Sequence, residues 1–335
     1  MRKVTLLPIS VPALVILMAR LASADPLSEL SSFSVFDKVD LAQLASGEPK
    51  TAHGPPLNNP RYLSVQSCYV VPGAPAQHLE ALRRWNPAAH RELKVILHND
   101  IAGSPSEAAF VRIKNAPETP PVRAFVEATV KMANDLQLSR DEAAKWKGGD
   151  NKLSGAVGDF WMGVLAGRAR AFASGGTSAL APYDHAGNSI RAGDELNGLL
   201  REQPKIRKQF AGLLDSTGIG RGGGSARPEL YSEMINTDDI AAAALGAFYG
   251  RNSGVTAQAA DTLYYSSGGV YAALTLYQMW PVDVNGRAST LVWRGDMVSS
   301  AALSGLRGVE KLASESAMMK DVAKSITVFR RDTAR

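Results

Sequence analysis

The five histidines of this chain, His53, His78, His90, His98 and His185, are the first residues to weigh for chemistry, and their spacing speaks against a metal site. None belongs to an H-E-x-x-H pair or another close ligand spacing, so no metal is expected. The common serine nucleophiles are missing too, since the sequence holds neither a G-x-S-x-G elbow nor S-x-x-K. The lone cysteine, Cys68, falls in a run that reads as a strand, where a buried thiol behaves as a small apolar side chain. As a nucleophile it would need a histidine beside it in space. Asp238-Asp239 resembles a paired carboxylate, yet it precedes an alanine-rich run, 240–248, that reads as a helix. Acidic residues at a helix start satisfy free amides and the helix dipole without catalysis. Asp184-His185, in a loop, offers less. The glycine-rich run 218–223 formally matches G-x-G-x-x-G, but a helix precedes it and Arg227-Pro228 follows, the wrong setting for a dinucleotide. It reads as a linker, and no cofactor is expected.

What remains is aromatic. Tyr264, Tyr265, Tyr271, Tyr277, Trp280 and Trp293 crowd one segment of a chain that is only 7% aromatic, so the density there calls for a reason. Any one of them is ordinary core. As a set beside Gly268, Gly269 and Ala273 they suit a cavity wall. The contacts expected for an apolar or amphiphilic small molecule are Tyr265, Tyr271, Leu276, Trp280, Trp293 and Met297, with Gln278 or Arg294 orienting a polar head.

These residues sit on a hairpin whose register can be counted. Asn285-Gly286 is the strongest short turn signal, a two-residue type I′ connection. Pairing Val284 with Arg287 sets Trp280 against Leu291, Gln278 against Trp293, Leu276 against Gly295 and Leu274 against Met297. That face is apolar apart from Gln278. The other face pairs Tyr277 with Arg294 and Thr275 with Asp296 and is mixed. Pro281 cannot donate to the ladder, which implies a bulge or an edge there. After Ser299-Ser300 a helix is expected to about residue 330, with Leu303, Leu306, Val309, Leu312, Met319, Val322, Ile326 and Phe329 in one stripe. The hairpin offers the apolar surface for it to lie on.

Upstream, residues 25–60 read as a short helix and linker. Strands are expected at 62–71, 93–98 and 108–113, with a helix at 76–85. From Pro120-Pro121 to residue 214 the apolar spacing turns helical, and Ser139 with Glu142 makes a capping box. The fold class is therefore α+β: an antiparallel sheet packed on a long C-terminal helix, forming a domain over 61–335 with a helical insertion at 120–225.

With strand 62–71, late strands 274–280 and 291–297, and helix 303–329, this layout resembles the helix-grip proteins, the START and polyketide-cyclase-like superfamily. The likeness covers about half of the chain after residue 24 and rests on layout, because that superfamily has no short defining motif. It implies a lipid or other apolar ligand between sheet and helix, and leaves carrier and enzyme both open. An enzyme would need a cavity holding an acid or histidine of shifted pKa. A third class is an envelope protein that uses the helical block as its interface.

The first residues set the expected address. Arg2 and Lys3 precede an apolar run over 4–18, and Ala22-Ser23-Ala24 supplies small residues before Asp25, the order of a cleavable signal peptide. The run is too short for a confident membrane span, although Arg20 keeps an uncleaved anchor in play. Removing 1–24 takes away Arg2, Lys3 and Arg20, so the formal charge falls from +5 to +2. No basic excess is left to favour nucleic acid. One cysteine gives no internal disulfide and there is no N-x-[ST] site, which together point to a bacterial periplasm. Contact with a membrane surface stays open.

Overall fold

The computed structural model describes residues 25–219, 224–237 and 240–334. The expected signal segment, Asp238-Asp239 and the last four residues of the 218–223 glycine run lie outside the described residues. In chain order the elements are α1 (Pro26–Phe33), α2 (Leu41–Ser46), β1 (Lys50–His53), β2 (Tyr62–Pro72), α3 (Pro75–Arg84) and β3 (Val95–Ile101). A helical block follows: α4 (Pro120–Val130), α5 (Arg140–Ala143), α6 (Ala156–Gly175), α7 (Ala192–Arg201), α8 (Pro204–Gln209) and α9 (Ala211–Thr217). The chain closes with β4 (Glu229–Thr237), β5 (Ile240–Ser253), β6 (Thr256–Ser266), β7 (Ala272–Val284), β8 (Arg287–Ser299) and α10 (Gly308–Thr333).

The strands form an eight-stranded antiparallel sheet in the order β1-β2-β8-β7-β6-β5-β4-β3, so the protein is α+β with a C-terminal helix. The β7–β8 register matches the count outward from Asn285-Gly286 pair for pair, Val284↔Arg287 through Leu274↔Met297. Asn285 at φ 54° and Gly286 at φ 77° adopt the positive φ that a type I′ turn requires. Pairing of β6 with β7 ends at Met279, so Pro281 lies where β7 has a free edge.

Each sheet face has its own cover. The apolar face of the hairpin lies under α1 and the helical block: Phe33 of α1 meets Trp293 edge-on at 4.9 Å, and Phe210, between α8 and α9, sits 5.6 Å from the same ring. The opposite face carries Leu63, Val65, Tyr69, Val71, Tyr277 and Val292 against Leu79 of α3 and Val322 and Ile326 of α10. The terminal helix thus packs on the sheet through the mixed face, because the helical block already covers the greasy one. It starts later than the apolar stripe suggests. Ala301–Leu303 is a short 3-10 turn that buries Leu303, and Val309 and Leu312 are 82% and 51% exposed, so within α10 the stripe is buried only from Val322 onward.

Three local readings are corrected. Residues 240–248, expected as a helix, are β5. Ala241 to Ala244 are each at most 2% exposed, sandwiched between both covers where a large side chain would not fit, and that packing overrides alanine's helix propensity. Residues 108–113, expected as a strand, lie in a 3-10 helix, Glu107–Asn115, whose Phe110 and Ile113 are buried while Val111 between them is exposed. That is a period of three rather than two. The linker expected within 25–60 contains the edge strand β1, paired from Lys50↔Cys68 to His53↔Val65. The Ser139–Glu142 capping box forms as expected, both hydrogen bonds included.

Candidate functional site

Between the mixed face of the sheet and the helices α3 and α10 is a cleft of about 270 Å³. Strand alternation builds it: every second side chain of β3, β4, β6, β7 and β8 points the same way. His98 and Asp100, Tyr231 and Glu233, Asp261 and Leu263, Thr275 and Tyr277, and Arg294 therefore share one wall, with Trp85 after α3 and Ser325 of α10 opposite. β5 lies between β4 and β6, and at Gly246 it carries no side chain. A Cβ there would stand 2.0 Å from Tyr231 Cζ, so the glycine lets the tyrosine lie across β5 and reach β6.

Tyr231 Oη donates to Asp261 Oδ1 at 2.6 Å. Burial pushes the Asp261 carboxyl up from 3.8 to about 6; the Tyr231 hydrogen bond pulls it down, Glu233 pushes it up, and Arg294 and His98 pull it down. Burial likewise holds the Tyr231 hydroxyl well above its ordinary range, with the Asp261 charge adding to it. The His98 ring stacks on Tyr231 with centroids 5.3 Å apart. Its Nδ1 lies 2.8 Å from Glu233 Oε1 and its Nε2 3.3 Å from Asp100 Oδ1. Burial opposes a charged imidazole here, but Glu233 and Asp100 outweigh it and raise His98 above its usual value. Both ring nitrogens thus face carboxylates, which favour the charged form of the ring.

Arg294 is pinned to Asp296, with Nε 2.8 Å from Oδ2 and Nη2 2.7 Å from Oδ1, while Thr275 Oγ1 donates to Asp296 Oδ1 at 2.9 Å. Its guanidinium lies 5.5 Å from the Tyr277 ring centre. At the mouth, Arg83 is paired to Glu229 and Glu80. Several polar atoms of the lining have no hydrogen-bond partner among the described residues, among them Asp261 Oδ2, Glu233 Oε2 and the hydroxyl of Tyr277, a residue only 6% exposed.

Of the residues expected to touch a ligand, Arg294 alone lines this cleft. Leu276, Trp280, Trp293 and Met297 are at most 1% exposed and face the helical block. Gln278, on the same face, accepts from Gln258 at 2.7 Å and Gln209 at 3.2 Å, so its carbonyl is occupied internally. Tyr265 lies under the Arg168 guanidinium at 4.4 Å, beside the buried Arg168–Glu142 pair. Tyr271 is half-buried, stacked on Tyr183 at 6.1 Å. The cleft residues that sequence reasoning missed, Tyr231, Glu233, Asp261, His98 and Asp100, carried a signal in their i, i+2 spacing along strands. Cys68 is fully buried, and burial pushes its thiol up to about 12, which makes it unreactive. Among the described residues no group of His, Cys, Asp and Glu could hold a metal ion, and no helix is long and apolar enough to cross a membrane.

Fold and site together define an α+β protein whose open antiparallel sheet carries a polar, aromatic-walled cleft beneath its C-terminal helix. No protein-family model, curated protein or solved structure matches the chain.

Proposed function

We propose that the chain is an exported protein that binds an amphiphilic small molecule in the cleft between its sheet and α10. The observation that carries this reading is a preformed cleft with aromatic walls, Tyr231, Tyr277 and Trp85, that leaves Tyr277 Oη and Asp261 Oδ2 unpartnered. A few convergent polar groups in an apolar frame are what a small-molecule site needs. The cleft's volume is slightly below the lower end of the usual range of about 300–1,000 Å³, which favours a compact ligand over a long acyl chain. Kinship with the helix-grip proteins belongs to the same proposal, supported by the sheet lying over a long C-terminal helix with a cleft between them.

Native mass spectrometry of the full chain purified from its own envelope tests the reading. The expected result is a co-purifying small molecule that is lost when Ala273→Phe fills the cleft, on a protein whose first residue is Asp25. Recovery of no such molecule, or its retention in the filled variant, overturns the binding reading. A mass that retains residues 1–24 overturns cleavage at Ala24. A second reading, an enzyme working in the same cleft, is favoured by one observation: a carboxyl held near pH 6 and hydrogen-bonded to a tyrosine is suited to proton transfer. Chemical change of the co-purified molecule on incubation, abolished by Asp261→Asn, would select it.

A further inference from the structure

Resting on the reading of this cleft as a ligand site, we infer that its ligand is an amine on a compact apolar body, its ammonium held between Asp261 and Tyr277. The unpartnered atoms set the chemistry. Asp261 Oδ2 is an acceptor, and the Tyr277 hydroxyl, free to rotate, can accept as well. An ammonium can donate to both and brings the charge opposite to that of Asp261; an alcohol can donate to Asp261 and accept from Tyr277 but brings no charge, and a carboxylate brings the like charge.

The charge of the lining points the same way. Asp100, Glu229, Glu233 and Asp261 share the lining with Arg83, Arg294 and His98, and each of those three already has a carboxylate partner. Arg83 is bound to Glu229 and Glu80, His98 lies between Glu233 and Asp100, and Arg294 is neutralised by Asp296, which lies outside the lining. Asp261 alone has no cation of its own. It is partly buried and shares the lining with the rings of Tyr231 and Tyr277. The walls, Trp85, Phe248 and Leu263 among them, accept the apolar body.

Isothermal titration calorimetry on the full chain with three probes of one shape tests the inference: phenethylamine, 2-phenylethanol and 3-phenylpropionate. At about pH 7.5 the amine is expected to bind at least about tenfold more tightly than the alcohol, and the carboxylate most weakly. Asp261→Asn should erase the advantage of the amine over the alcohol. Tyr277→Phe, which removes one acceptor and keeps the ring, should weaken the amine severalfold, and it carries the test if the asparagine variant does not fold. The advantage should also shrink towards pH 5 as Asp261 takes up a proton, with Tyr231, Glu233, His98 and Arg294 the polar groups acting on it. Alcohol binding as tight as amine binding, or an amine advantage that survives both variants, overturns the inference and leaves the ligand-site reading standing. Failure of all three probes to bind overturns both.

Discussion

His78 gives the structure a pH dependence that can be worked out in advance. It lies on α3 and is 4% exposed, with Nε2 3.2 Å from Tyr69 Oη and its ring edge-on to Phe329 of α10 at 5.1 Å. Burial pushes its pKa down from 6.5 to about 3. The unfolded chain therefore takes the proton first, so the stability that depends on the neutral ring is fully present above 6.5 and is lost as the pH falls towards 3. Between about pH 7.5 and pH 5 that loss amounts to about 2 kcal/mol. Asp261 acts in the opposite sense. Its folded value is raised from 3.8 to about 6, so the folded chain takes up that proton first as the pH falls through 6. Over the same interval it adds about 1.4 kcal/mol.

The two groups nearly cancel in the wild type, and each single variant should unmask the other. Asp261→Asn is expected to lose about 1.4 kcal/mol more than the wild type between about pH 7.5 and pH 5, and His78→Phe about 2 kcal/mol less. Urea unfolding followed by tryptophan fluorescence at the two pH values measures both, and the comparison with wild type removes every other titrating group. A His78→Phe protein with the acid response of the wild type would refute the assignment of a buried neutral imidazole between α3 and α10.

Three further substitutions test the architecture. Gly246→Ala puts a Cβ 2.0 Å from Tyr231 Cζ, so it should cost about 1–3 kcal/mol and push Asp261 higher by removing its hydrogen bond, which carboxyl NMR titration would follow. Glu142→Gln leaves the Arg168 charge, 2% exposed, without its carboxylate and should cost about 3–5 kcal/mol in chemical denaturation, part of it recovered in a Glu142→Met, Arg168→Met double variant, which gives up the bond from Ser139 N as well. Trp293→Ala should cost about 3–5 kcal/mol in thermal unfolding yet leave phenethylamine binding unchanged while the protein is folded, since its ring faces the helical block. Lost binding at unchanged stability would contradict the assignment of the two faces.

The hairpin was legible because its register follows from two residues. Once Asn285-Gly286 sets the turn, strand alternation sends Trp280 and Trp293 to one face and Tyr277 and Arg294 to the other, and the structure keeps that division. What covers each face was not legible, because a greasy face accepts any apolar partner. Both the helical block and the terminal helix offered one, and tertiary packing gave the greasy face to the block. Its aromatic residues, expected to line a cavity, are instead core.

The cleft was hidden by a misread strand. Tyr231 and Asp261 are 30 residues apart and meet because β5 places β4 and β6 two strands apart, with Gly246 leaving a gap in the pleat between them. Read as a helix, 240–248 removes the strand that sets β4 beside β6, and Tyr231–Asp261 cannot be assembled. The four alanines that suggest a helix are small because the sheet is covered on both sides there. Composition that reads as helix propensity was thus a record of two packed layers. Gly246, two residues beyond those alanines, leaves the space that the Tyr231 ring fills, and that ring carries the hydroxyl to Asp261 in the wall of the candidate site.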